Sequence, residues 1–167
     1  TANQGDYFVI ASTLNTYFLG IYNRAFQLIS IPANLIGQVI DQVFFPALSK
    51  LQDDNRKISE IYIIVTALLA VIYLPLSIFI FLFAEEIILL LLGLSWIEAS
   101  KPLKVLALFM FFRVGYKIND PIFRAKGIVY NRAFIQMLFA LMIISFSYVG
   151  SNWGLFGITI GVSLALI

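Results

Sequence analysis

Residues 58–83 read ISEIYIIVTALLAVIYLPLSIFIFLF. After Glu60 no charged side chain interrupts the run. It exceeds the roughly 20 residues that an α-helix needs to cross the hydrocarbon of a bilayer. Backbone groups in lipid must pair within the protein, which leaves helices or closed β-barrels. A barrel strand alternates polar and apolar side chains over about ten residues. Neither 78–83 nor 87–92 alternates. The run is therefore read as a transmembrane helix.

Comparable runs fill the rest of the chain, at about 7–19, 21–48, 99–123, 133–149 and 154–167, with a short amphipathic piece at 84–92. The expected fold is all-α: a polytopic transmembrane helical bundle of about six spans, the first and last partial, with 1–167 forming one transmembrane unit. The last run is too short to span, so the chain reads as a fragment of a longer protein. Composition agrees with a bilayer location. Of 167 residues 61% are hydrophobic and 12% charged, and mean hydropathy is +0.95, whereas a soluble domain carries about 25% charged residues.

Composition also excludes several kinds of chemistry. Without cysteine there is no disulfide and no thiolate metal site. Without histidine the commonest general base and metal ligand are gone. The scattered glycines form no phosphate-binding loop. No catalytic residue, metal or cofactor is expected, and a formal charge of +2 gives no footing for nucleic acid.

Lysine and arginine in the short loops set an orientation. Lys50, Arg56 and Lys57 lie in 49–57, and Arg124, Lys126 and Arg132 in 124–132. Two spans separate these loops, so they share a side, and their excess over Lys101 and Lys104 in 93–104 makes that side cytoplasmic. Trp96 and Trp153 then sit near the opposite interface. Pro32, Pro75 and Pro121 fall inside expected helices and should kink them, either to aid packing or as flexing points.

Charges at membrane depth are costly and usually face a bundle interior or a water-filled cavity. On the second span Arg24, Gln27, Asn34, Gln38 and Asp41 recur at helical spacing and form one stripe. Gln42 adjoins it. On the fourth span Arg113, Lys117, Asp120 and Arg124 are spaced four, three and four and also share a face. Lys117 can pair with Asp120 at i, i+3. Two readings stay open. The charges pair across helices, for instance Arg24 with Asp6 or Asp41, and hold the bundle together. Alternatively, the stripes line an aqueous, net cationic cavity suited to an anionic head group, in which arginine grips phosphate oxygens two at a time. Asp53-Asp54 can cap the helix after the first basic loop, and Glu85-Glu86 the amphipathic piece. Glu98, Lys101 and Lys104 read as a solvated interfacial cluster.

Several motifs occur in a fixed order: Gly20-Ile-Tyr22-Asn-Arg24-Ala25, then Phe45-Pro46-Ala-Leu-Ser49-Lys-Leu-Gln52-Asp53-Asp54, Gly93-x-x-Trp96-x-x-Ala99, Ala125-x-Gly127 and Gly154-x-x-Gly157. Through them the chain resembles the polysaccharide transporter family of O-antigen (Wzx-type) flippases, within the multidrug/oligosaccharidyl-lipid/polysaccharide exporter superfamily. Phe26 stands where that family often has tyrosine, and Ile128 where a basic residue is common. The resemblance implies one lobe of a two-lobe, MATE-like transporter of the bacterial inner membrane, not an enzyme. Its implied cargo is an undecaprenyl-pyrophosphate-linked oligosaccharide moved by alternating access. It also implies polysaccharide polymerase and chain-length proteins as partners. Under it Arg24, Arg113 and Lys117 attract the pyrophosphate, Asn34, Gln38 and Gln42 bond sugar hydroxyls, and Asp6, Asp41 and Asp120 balance charge or couple an ion. The alternatives are a drug or metabolite exporter of the same superfamily, or a membrane-bound polysaccharide polymerase or ligase. A drug cation would prefer an acidic cavity, and a polymerase or ligase needs a reactive outer loop.

Overall fold

The computed structural model describes residues 5–51, 54–125 and 129–165, without the side chains of Asp6, Phe8, Asp41, Tyr116, Asp120, Ala125, Val129, Asn131 and Arg132. Among these residues every regular element is helical: α1 (Gly5–Thr13), α2 (Thr16–Val39), α3 (Phe45–Ser49), α4 (Asn55–Leu82), α5 (Ala84–Leu91), α6 (Ser100–Leu108), α7 (Met110–Ala125), α8 (Val129–Gly150) and α9 (Gly154–Leu164). A π-helical turn, Ile40–Phe44, joins α2 to α3, and 3-10 turns fill Leu94–Ala99 and Ser151–Trp153. Three stretches are long and apolar enough to cross a membrane: Thr16–Ser49, Asn55–Leu82 and Ala133–Leu164.

Local chemistry sets the helix boundaries. Asn15 is extended and its side chain accepts from the Phe18 N–H, so α2 begins at Thr16, earlier than the apolar run suggests. Asp54 caps α4 by accepting from the Lys57 N–H at 3.1 Å. The backbone hydrogen bond from Lys57 holds the Asp54 carboxyl below its usual range. The acidic pair of α5 does not cap. That helix has no side-chain cap, and Glu85 instead accepts from Lys104 Nζ of α6 at 2.7 Å, which lowers its pKa. The expected fourth span is broken at Phe109, where the backbone leaves helical geometry between α6 and α7.

The stretch Ala133–Leu164 is a hairpin and not one rod, because the 3-10 turn and Gly154, at φ +67, reverse the chain. The hairpin closes on glycine. A Cβ on Gly157 would lie 2.2 Å from the Gly150 carbonyl oxygen, and one on Gly161 2.4 Å from that of Phe146. Small residues of this kind let helix backbones approach closely in lipid. Thr159 and Ser163 are buried and satisfy their hydroxyls on carbonyls of their own helix, Leu155 at 2.8 Å and Thr159 at 2.7 Å.

α6 is the central post. It packs against α2, α4, α5 and α9 and buries Leu103, Leu106 and Ala107. Tyr22, Ile29, Ile88, Met110, Val114 and Ile158 close the same core. Two hydrogen bonds tie α4 to it: Ser77 donates to the Ala107 carbonyl, and buried Tyr73 donates to the Pro32 carbonyl of α2 at 2.7 Å.

α3 packs on α7, which brings residues 49–51 and Arg124 to one end of the bundle. The turn Leu94–Ala99 meets α2, and the turn Ser151–Trp153 meets α1, at the opposite end. Trp96 and Trp153 therefore lie away from Lys50 and Arg124.

Candidate functional site

α7 has two faces. Met110, Val114, Ile118 and Pro121 are buried against the core, while Arg113, Lys117 and Arg124 sit off that face. Spacing of three and four residues separates the faces, as helical periodicity requires. α2 divides likewise: Tyr22, Ala25, Ile29 and Ala33 are buried, and Arg24, Gln27, Asn34 and Gln38 are exposed.

The two polar faces adjoin, and the strip where they meet is termed the groove below. α2 and α7 lie side by side and run parallel, because successive α7 cations match successive α2–α3 positions. The Arg113 guanidinium lies 4.6 Å from the centroid of the Phe26 ring. Lys117 Nζ donates to Asn34 Oδ1 at 2.8 Å and to the Ala33 carbonyl at 3.2 Å. Arg124 lies 4.9 Å from the Phe45 ring centroid. At the far end Arg24 donates to Gln27 Oε1 at 3.2 Å and lies 4.9 Å from the Trp96 ring centroid. The cations thus form a ladder with aromatic and amide rests. From Arg113 to Arg124 the ladder rises about 16 Å, and from Arg24 to Gln38 α2 rises about 21 Å, most of the hydrocarbon thickness of a bilayer.

The groove's electrostatics follow from its neighbours. Among the described side chains the ion pairs are Arg56–Glu60, Lys57–Asp54 and Lys104–Glu85, all away from the groove. Phe26 holds Arg113 in place through its ring face and offers it no oxygen acceptor. An anion entering beside Arg113 therefore meets guanidinium N–H donors in a fixed fork. The exposed amides Asn34, Gln38 and Gln42 add neutral donors and acceptors of the kind that bond hydroxyl groups.

Some expectations from the sequence fall on side chains outside the described set, and others are revised by the structure. Lys117 reaches across to α2 at Asn34 and Ala33, while Asp120, its expected local partner, has a side chain outside the described set. Pairing of Arg24 with Asp6 or Asp41 rests on side chains outside it too; the described partners of Arg24 are Gln27 and Trp96. Glu98 accepts from Tyr17 OH at 3.3 Å, and Lys104 turns to Glu85, so Glu98, Lys101 and Lys104 do not form one cluster. The α-helical phase of the α2 stripe stops at the π turn, where the Phe45 N–H bonds to the Ile40 carbonyl. Asp41 and Gln42 lie within that turn, so a 3.6-residue period does not place them. Phe26 and Phe45 entered the sequence reading only as motif positions, not as partners of the cations, and Gly37 did not enter it. Aromatic residues flanking a cationic stripe were the available signal for the first two.

The family model for "polysaccharide biosynthesis protein" matches residues 1–101. The teichuronic acid biosynthesis protein TuaB of Bacillus subtilis is 32% identical over 122 residues, 73% of this chain and 25% of that protein. An uncharacterized membrane protein in the cps region of Klebsiella pneumoniae is 24% identical over 154 residues, 92% of this chain and 32% of that protein. The lipopolysaccharide biosynthesis protein WzxC of Escherichia coli is 24% identical over 160 residues, 95% of this chain and 32% of that protein. The chain spans between a quarter and a third of the length of these curated relatives. No solved structure matches it.

Proposed function

Because the chain belongs to the polysaccharide biosynthesis protein family, we propose that its α2–α7 groove is one wall of a pathway that carries a lipid-linked oligosaccharide across the bacterial inner membrane. The observation that supports this reading most is that Arg113 and Lys117 of α7 lie against Phe26 and Asn34 of α2, on the side of α2 that also exposes Arg24 and Gln38. The cargo is an undecaprenyl-pyrophosphate-linked repeat of a surface polysaccharide. Its pyrophosphate carries the charge that the arginines and Lys117 attract, and its sugars carry the hydroxyls that the amides bond. The prenyl chain stays in lipid, so the protein needs to shelter only the polar head.

Alternating access fits the helix chemistry. Pro32 and the π turn interrupt α2 within the groove, and broken helices are tolerated at membrane depth where they line a cavity. The protein acts as a flippase and makes or breaks no covalent bond. Asp120 belongs to α7, Asp41 to the π turn after α2 and Asp6 to α1, and their place in this reading is charge balance or ion coupling.

The test is genetic. Arg24→Ala and Arg113→Ala in the full-length gene should each reduce surface polysaccharide in a strain that depends on it, while the protein remains in the membrane. Full polysaccharide from both variants would overturn the groove assignment.

A further inference from the structure

Two sequence motifs that lie far apart along the chain meet in the fold. Arg24 of Gly20-Ile-Tyr22-Asn-Arg24-Ala25 lies against Trp96 of Gly93-x-x-Trp96-x-x-Ala99, its guanidinium 4.9 Å from the ring centroid. The second motif places the ring. Gly93, at φ +85, adopts a backbone that glycine takes readily, and its carbonyl accepts from the Trp96 N–H at 3.2 Å. Ala99 is fully buried and seats the 3-10 turn in the core. Tyr17 OH donates to Glu98 at 3.3 Å and ties that turn to the start of α2. The first motif places the arginine. Tyr22 and Ala25 are fully buried, which fixes the phase of α2 and leaves Gly20 and Arg24, one turn apart, beside the ring. A Cβ on Gly20 would lie 4.0 Å from Trp96 Cζ3, so the ring reaches α2 at both positions.

We propose that Trp96 is the positioning residue of Arg24, and that the two motifs together build one phosphate-binding station at the end of the bundle away from Lys50 and Arg124. The inference rests on the transport reading above, whose cargo carries the phosphate. Both described partners of Arg24 are neutral: Gln27 Oε1 accepts one N–H at 3.2 Å, and the indole face attracts the cation. The ring neutralises none of the positive charge and occupies no N–H donor, so the remaining donors of the guanidinium stay available. A carboxylate in place of the ring would hold the arginine as firmly, and would cancel its charge towards an incoming anion. A long side chain that must be ordered on binding costs affinity, and one already held in place does not. Trp96 therefore acts through Arg24, and indole is the aromatic face that holds a cation best.

The experiment measures the dissociation constant of undecaprenyl pyrophosphate for the full protein in nanodiscs. Arg24→Ala should weaken binding about tenfold, through loss of charge-assisted hydrogen bonds. Trp96→Leu should weaken it about threefold, the size of an exposed cation–π contact. The double variant should bind no worse than Arg24→Ala alone, because Trp96 has no further role once the arginine is gone. A second series places tryptophans with one to four fluorines at position 96. Fluorine drains the negative ring face and nearly preserves its shape, so binding should weaken stepwise in the wild type and stay level in Arg24→Ala. A ring that only packs the turn would leave this series flat, and the series decides the matter even if Trp96→Leu fails to fold. A flat series, or an equal effect of Trp96→Leu with and without Arg24, overturns the positioning role. Weaker binding by Arg24→Ala would then leave the transport reading standing. Unchanged binding by Arg24→Ala removes Arg24 from the station and overturns the proposal, while Arg113→Ala still judges the transport reading. If the probe does not bind the wild type at all, both fall.

Discussion

Gly157→Ala should loosen the α8–α9 hairpin more than its single added methyl suggests. The new Cβ would lie 2.2 Å from the Gly150 carbonyl oxygen and 2.7 Å from the Trp153 Cβ. Ordinary contact begins near 3.4 Å, so the helices must separate by 3.4 − 2.2 = 1.2 Å. The first obstacle is backbone and cannot rotate aside. Overpacking costs about 1–3 kcal/mol, and a backbone obstacle places this change near the upper end, about 3. Alanine's better helix propensity offsets about 1 kcal/mol. The net loss of about 2 kcal/mol is a factor of roughly 30 in the folded ratio. Gly115→Ala is the control, because no atom lies within 4 Å of its Cβ position. The assay is thermal unfolding of the full protein in detergent, followed by fluorescence-detected size exclusion. Gly157→Ala should unfold several degrees below wild type, and Gly115→Ala at or above it. Equal stability of Gly157→Ala and wild type would refute the close-packed hairpin.

Other perturbations test separate parts of the account. Tyr73→Phe removes the bond to the Pro32 carbonyl and should cost about 1 kcal/mol in the same unfolding assay. Asp54 has a folded pKa held below its unfolded value, so its contribution is complete above the unfolded pKa and is lost as pH falls through the folded one. Protection of the first amides of α4, corrected for intrinsic rates, should therefore hold from neutrality down to about pH 5 and fall only below about pH 4. Asp54→Ala should remove that acid transition. Arg113→Lys keeps the charge and loses the planar fork over Phe26, so export measured as surface polysaccharide per cell should fall about tenfold, equivalent to about 1.4 kcal/mol. Wild-type export from Arg113→Lys would show that charge alone suffices there.

The all-helical fold was legible because uninterrupted apolar runs such as 58–83 leave little else possible in lipid. What the sequence hid were interruptions set by tertiary contact. The break at Phe109 carries no proline or glycine to announce it, and the π turn at Ile40–Phe44 lies in a run that reads as ordinary helix. The reversal at Ser151–Trp153 was marked by the flanking Gly150 and Gly154, and the apolar run on its far side was visible as a separate span. Periodicity aligned each polar stripe on its own helix. It could not show that α2 and α7 lie parallel and adjacent, since that depends on how α6 packs among them. The partners of the cations were hidden for the same reason: Phe26, Trp96, Asn34 and Phe45 all lie far in sequence from the residues they meet.

The most direct measurement is rescue of surface polysaccharide by the full-length parent gene in a bacterium that lacks its own flippase. The account predicts rescue with at least one repeat structure, and loss of that rescue when Arg24 and Arg113 are both replaced by alanine. Failure with several repeat structures, despite expression in the membrane, would contradict it, and measurable drug efflux from the same cells would favour a small-molecule exporter instead.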